Sequence, residues 1–163
     1  MKQVVVGMAG AARGTELHMG GYLRVTGVDV RLKKIFGRRP EQVEAADFVE
    51  NSTEKDAVFL TGTQHNNFVS SLAGRRIVCG TSSWLYYHGF DTDEREKDIS
   101  RFYADPTENM DVLEKYAVRY IVLDGDMVTD DTVDRSALET GYNRIYESTS
   151  GEIAVFAVPA DMK

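Results

Sequence analysis

Three short polar segments hold most of the side chains that could do chemistry: Gly62-Thr63-Gln64-His65-Asn66-Asn67, Gly80-Thr81-Ser82-Ser83-Trp84 and Asp124-Gly125-Asp126. Between them they supply a nucleophile, a base and an acid. Ser82 or Ser83 could attack, His65 could take the proton, and Asp124 could hold the imidazole in one tautomer. The sequence around the serines does not support that reading further, because no Gly-x-Ser-x-Gly elbow surrounds either one. A histidine beside the start of a helix serves as readily for capping or hydrogen bonding. Ligand binding fits the same segments better than catalysis. Trp84, Tyr86 and Tyr87 present faces that stack on a sugar ring, although packing beneath a loop is the commoner fate of such aromatics. The candidate ligand-binding residues are His65, Asn66, Ser82, Trp84, Tyr87, His88, Arg95 and Asp124. No residue is assigned a catalytic role.

Other chemistries have weaker support. Asp124, Asp126, Asp130, Asp131 and Asp134 could attract a hard cation. Their spacing lacks the central glycine and closing glutamate of an EF-hand loop, so helix capping and solubility explain them more simply. His18, His65 and His88 are too dispersed for a zinc site, and no metal or cofactor is expected. Gly7-Met8-Ala9-Gly10-Ala11-Ala12-Arg13-Gly14 follows an apolar run and precedes Asp29, which invites a nucleotide-binding reading. It is neither Gly-x-Gly-x-x-Gly nor a Gly-Lys-Ser/Thr loop. Cys79, the sole cysteine, lies in Arg76-Ile77-Val78-Cys79-Gly80 and reads as a small buried hydrophobe.

The elements that must position these segments are legible from Pro40 onward. Pro40 and Glu41 open a helix that ends near Asn51, with Val43, Ala46 and Val49 on one face. Ala57–Thr61 is a continuous apolar run suited to a strand covered on both sides. A second helix carries Phe68, Val69 and Leu72 inward and stops at Gly74. Arg76–Cys79 is a short strand, and Trp84–Phe90 is read as an aromatic loop. Asp91 or Thr92 caps a third helix with Ile99, Phe102 and Tyr103 inward. Asp105 and Pro106 begin a fourth, striped by Met110, Leu113, Tyr116 and Ala117. Val118–Leu123 is the strongest strand. A short helix near 131–138 and a hairpin of Tyr142–Tyr146 with Ile153–Val158 complete the chain. Strands alternating with helices predict a three-layer α/β/α, Rossmann-like, mostly parallel sheet closed by a C-terminal antiparallel hairpin. In such sheets ligands gather beyond the carboxyl ends of the strands, which is where the three polar segments fall.

The chain has 163 residues and a net charge of −7, which disfavours nucleic acid as a partner. Residues 1–39 carry eight basic and two acidic side chains, a balance of +6, which leaves −13 for residues 40–163. The organisation expected is a basic, glycine-rich N-terminal segment at 1–39, suited to lie against anionic lipid, and an α/β domain at 40–163. Within the basic segment, Gln3–Met8 and Tyr22–Val30 are the strand candidates. No stretch approaches the roughly 20 apolar residues of a membrane span, so the chain itself reads as soluble.

One set of motifs is more specific. Leu72-Ala73-Gly74-Arg75-Arg76-Ile77-Val78-Cys79-Gly80 leads into Trp84-Leu85-Tyr86-Tyr87-His88-Gly89-Phe90-Asp91, then Arg95-Glu96-Lys97-Asp98-Ile99, Tyr103 and Leu113–Val122. With Ala57–Leu60 and Thr61–His65 before it, this pattern resembles the soluble C-terminal domain of prokaryotic membrane proteins of the GT-C glycosyltransferase type, over about residues 35–158. The resemblance implies a domain outside the hydrocarbon layer, on the extracytoplasmic face, beside the membrane helices of a parent protein. It also implies a lipid-linked sugar or glycan as ligand. By the positive-inside rule, the basic run at 31–39 favours the cytoplasmic side instead. In that family the catalytic acids lie in loops between membrane helices, so none carries over. His65, Trp84, His88 and Arg95 match the soluble domain's own pattern. The expectation is therefore a non-catalytic accessory domain that binds substrate or partner. The alternatives are a small hydrolase-like enzyme built on His65, Ser82 and Asp124, or a nucleotide-binding module on Gly7–Gly14.

Overall fold

The computed structural model describes residues 2–9, 28–36, 39–65, 67–128 and 130–159, with backbone alone for 2–9, 28–36, 126 and 128. Two compact units are present, Met1–Pro40 and Glu41–Lys163. In the first, β1 (Lys2–Ala9) pairs in parallel with β2 (Val28–Phe36), from Lys2 opposite Val28 to Ala9 opposite Phe36. The second strand therefore lies later than the expected Tyr22–Val30. Val28-Asp29-Val30-Arg31-Leu32-Lys33 alternates apolar with charged, the period-two signature of a strand, and its charges do not interrupt it. The glycine-rich stretch at 10–14 lies outside the described residues.

The second unit is built on a five-stranded sheet in the order β4-β3-β5-β7-β6, comprising β3 (Val58–Leu60), β4 (Arg76–Ile77), β5 (Val118–Leu123), β6 (Asn143–Glu147) and β7 (Ala154–Ala157). Central β3 runs parallel to both β4 and β5, while β7 is antiparallel to β5 and β6. Side chains alternate between the two faces of each strand. Phe59, Val122 and Val155 join Ala45, Val49, Phe68 and Val69 on one side. Leu60, Ile121, Leu123 and Phe156 join Ile99, Phe102, Val112, Leu113 and Leu138 on the other. Helices cover both faces, so the three-layer α/β/α arrangement with its terminal hairpin is as the sequence predicts.

On the first face lies α1 (Pro40–Ser52), which buries Ala45, Ala46 and Val49, followed by α2 (Phe68–Ser71). Leu72, expected to point inward, is 37% exposed because α2 ends at Ser71 and Leu72 leaves on its cap. Gly74 then takes φ +64°, a left-handed turn that favours glycine. The next residue, Arg75, is buried and caps α1 from across the fold. Its guanidinium donates to the carbonyls of Glu50 at 2.8 Å, Thr53 at 3.1 Å and Ala73 at 3.0 Å.

Segment 84–90, expected as a loop, is largely helical: α3 spans Ser82–Tyr87. On the second face, α4 (Asp93–Ala104) buries Ile99, Phe102 and Tyr103 as expected. Asp105 makes its capping bonds to the N–H groups of Thr107 and Glu108, yet regular helix begins only at α5 (Asp111–Lys115). That delay rotates the stripe. Val112 and Leu113 are buried, Met110 and Ala117 are not, and Ala117 adopts φ 50° as the chain turns into β5. Two short helices, α6 (Gly125–Val128) and α7 (Arg135–Gly141), follow β5.

Candidate functional site

Because β3, β4 and β5 are mutually parallel, their carboxyl ends share one rim, and the three polar segments leave the sheet together. The first segment is shaped by Asn67. Its carboxamide oxygen accepts from the Val69 N–H at 3.0 Å, capping α2, and its Nδ2 donates to Thr61 Oγ1 at 2.8 Å. Thr61 and Asn67 are buried, so this turn is fixed from below. The cap is thus Asn67 and not His65. The turn presents Gln64, whose side chain folds over Gly62 so closely that a β-carbon there would lie 2.4 Å from Oε1.

Gln64 was not singled out by sequence, yet it is what joins the segments. Its Nε2 donates to Asp124 Oδ1 at 2.8 Å, linking the exits of β3 and β5. Its Oε1 is buried without a hydrogen-bond partner among the described residues. His65 is exposed and sets its ring edgewise on Trp84, with centroids 4.8 Å apart, which links the exits of β3 and β4. Beneath the rim, the buried hydroxyl of Tyr103 lies 2.7 Å from the Val122 carbonyl and 3.1 Å from that of Leu60. Burial and the nearby Asp124 carboxylate push the Tyr103 phenol well above its usual range, so it stays a proton donor. Beside Gln64 opens a cleft of about 890 Å³, lined by Thr63, Gln64, Lys97, Ser100, Tyr103 and Met127 among others. That volume lies within the usual range for small-molecule sites, roughly 300–1,000 Å³.

The remaining predicted residues scatter. Ser82 and Ser83 line a different groove with Tyr86 and Tyr87, and Glu96 lines both that groove and the cleft beside Gln64. His88 is an exposed cap of α3, its N–H bonded to the carbonyl of Leu85. Arg95 donates to the Val78 carbonyl at 2.6 Å and lies over the Tyr116 ring, tying α4 to the end of β4. Asn66 and the side chain of Asp126 lie outside the described residues. Rim geometry therefore gathers Gln64, His65, Trp84 and Asp124, and it engages His65 with an aromatic ring and Asp124 with an amide.

Other candidate chemistry is accounted for locally. Asp130 accepts from the Thr132 N–H and hydroxyl, which hold its carboxyl below the usual range, and Asp134 caps α7 through the Ala137 N–H. Among the described residues no three His, Cys, Asp or Glu side chains come together as a metal site. Cys79 is buried, and burial pushes its thiol up, away from the reactive thiolate. No helix among the described residues is long and apolar enough to cross a membrane.

No family model matches the chain, and no curated protein matches it. Among solved structures, the chain is similar to the C-terminal globular domain of an oligosaccharyltransferase from Archaeoglobus fulgidus, with a TM-score of 0.54 and 14% identity. The match covers 76% of this chain and 100% of that one. At that identity the likeness is one of fold. It agrees with the expected α/β fold.

Proposed function

We propose that this chain is a non-catalytic, substrate-binding accessory domain of a GT-C-like membrane glycosyltransferase, placed on the extracytoplasmic face beside the membrane helices of its parent protein. The observation that carries the reading is the rim itself. Gln64 and Asp124 lock two strand exits together, and Gln64 lines the cleft beside them with Thr63, Lys97 and Ser100. Hydroxyl, amide and ammonium groups gathered on one cleft suit a hydroxyl-rich ligand, each well-formed hydrogen bond contributing about 0.5–1.5 kcal/mol. Lys97 and Ser100, which also line the cleft, suit the phosphate of a lipid-linked sugar. The fold likeness to an oligosaccharyltransferase domain supports the setting.

Trp84 is the only tryptophan in the chain, and through His65 it touches the rim, so its emission reports on the site. The test is a titration with a polyprenyl-phosphate-linked sugar in detergent micelles, set against empty micelles and the sugar-free polyprenyl phosphate. A saturable emission change that needs the sugar, weakened roughly tenfold by Gln64→Ala, is expected. A response equal to that of empty micelles would remove the proposal.

A further inference from the structure

Helix α3 and the turn after it expose an aromatic surface. Tyr86 is 75% exposed, Tyr87 85% and Phe90 61%, and only Leu85 anchors the helix in the core. The two tyrosine rings stand edge to face, with centroids 5.9 Å apart. They form one wall of an open groove of about 720 Å³. The rest of that wall is acidic: Asp91, Asp93 and Glu96 line the groove, and no Lys or Arg does. Of the two basic residues that flank Glu96, Arg95 is drawn to the Val78 carbonyl and the Tyr116 ring, and Lys97 lines the cleft beside Gln64.

Exposed aromatic faces and carboxylates in one groove are complementary to a cation with a flat apolar face. Ring quadrupoles attract the charge and carboxylates accept its N–H groups. Guanidinium meets both requirements better than ammonium, because it stacks on rings and donates in a planar fork. We propose that this groove docks an arginine-bearing segment of a partner protein. The groove volume accommodates a segment of several residues and exceeds the needs of a single side chain. This proposal does not rest on the sugar-binding reading, since it uses neither Gln64 nor Asp124.

The test is calorimetric titration of the full chain with a tetra-arginine peptide amide, with tetra-lysine and tetra-glutamate amides alongside. Saturable one-site binding of tetra-arginine is expected, about fivefold tighter than tetra-lysine, with none for tetra-glutamate. Asp91→Asn with Asp93→Asn should weaken tetra-arginine about tenfold and flatten its salt dependence. Tyr87→Leu keeps apolar area without a ring face, and it should abolish the preference for arginine over lysine. All three positions are exposed, and asparagine at 91 can still accept from the Asp93 N–H, so the thermal transition should fall by no more than a few degrees. Failure to bind would overturn the proposal. So would equal affinity for the two basic peptides with Tyr87→Leu unchanged, because that is diffuse attraction to an acidic surface. Gln64→Ala should leave this binding intact, which separates it from the sugar site.

Discussion

Arg75 offers the sharpest check on how the domain is held together. Helix α1 has no basic side chain in its last turn to meet its final carbonyls. Arg75, 8% exposed, meets them with its Nη2 2.8 Å from Glu50 O and 3.1 Å from Thr53 O, while Nη1 lies 3.0 Å from Ala73 O. Replacing it with methionine keeps much of the volume and removes every donor. Each well-formed bond from a charged donor contributes about 1.5–3 kcal/mol, and the helix-end charge about 0.3–1. Against this stand water reaching the partly buried carbonyls and relief from burying a guanidinium. A net loss of about 3 kcal/mol for Arg75→Met is the result. With a urea slope of about 1.5–2 kcal/mol per molar, the midpoint followed by Trp84 emission should fall by about 1.5–2 M. Arg75→Lys restores the charge without the fork and should recover less than half. A loss below about 1 kcal/mol, or a lysine variant as stable as the parent, would refute the capping role.

Three further outcomes follow from local geometry. Ala117 sits at φ 50°, so Ala117→Gly should stabilise by about 0.5–1 kcal/mol in the same denaturation experiment, despite glycine's greater freedom when unfolded. Tyr103→Phe removes the hydroxyl between the Leu60 and Val122 carbonyls and should cost about 1–2 kcal/mol, with faster amide exchange at the exits of β3 and β5. Burial pushes Asp98 up, but hydrogen bonds from Lys115, Tyr116 and Arg101 outweigh it and hold the carboxyl at about 2. That folded value lies below the ordinary one, so the stabilisation is full above about pH 4 and fades as pH falls toward 2. Asp98→Asn should therefore lose about 1 kcal/mol at neutral pH, allowing for solvent screening, and the two proteins should converge only below about pH 2.

The sheet was legible because its central runs are continuous. Phe59-Leu60 and Ile121-Val122-Leu123 read as covered strands, and in the fold they feed both cores. Helix α3 was not legible. A six-residue helix with only Leu85 inward has no apolar period, and its aromatics point to solvent. Nor was the capping by Arg75, whose partners in α1 lie 22 to 25 residues away. At the rim, sequence singled out His65 and Asp124 by their chemistry and passed over Gln64, an uncharged amide. The parallel register, which sequence anticipated, brings the segments together. Gln64 then makes the bond, and that contact spans 60 residues of sequence.

The most direct test is amide-resolved NMR of the chain during titration with the polyprenyl-phosphate-linked sugar. Shifts should cluster at Thr63, Gln64 and His65, at Lys97 and Ser100 of the same cleft, and at Asp124 and Gly125. Shifts confined to Tyr86–Asp93, or none beyond those caused by empty micelles, would contradict the proposal.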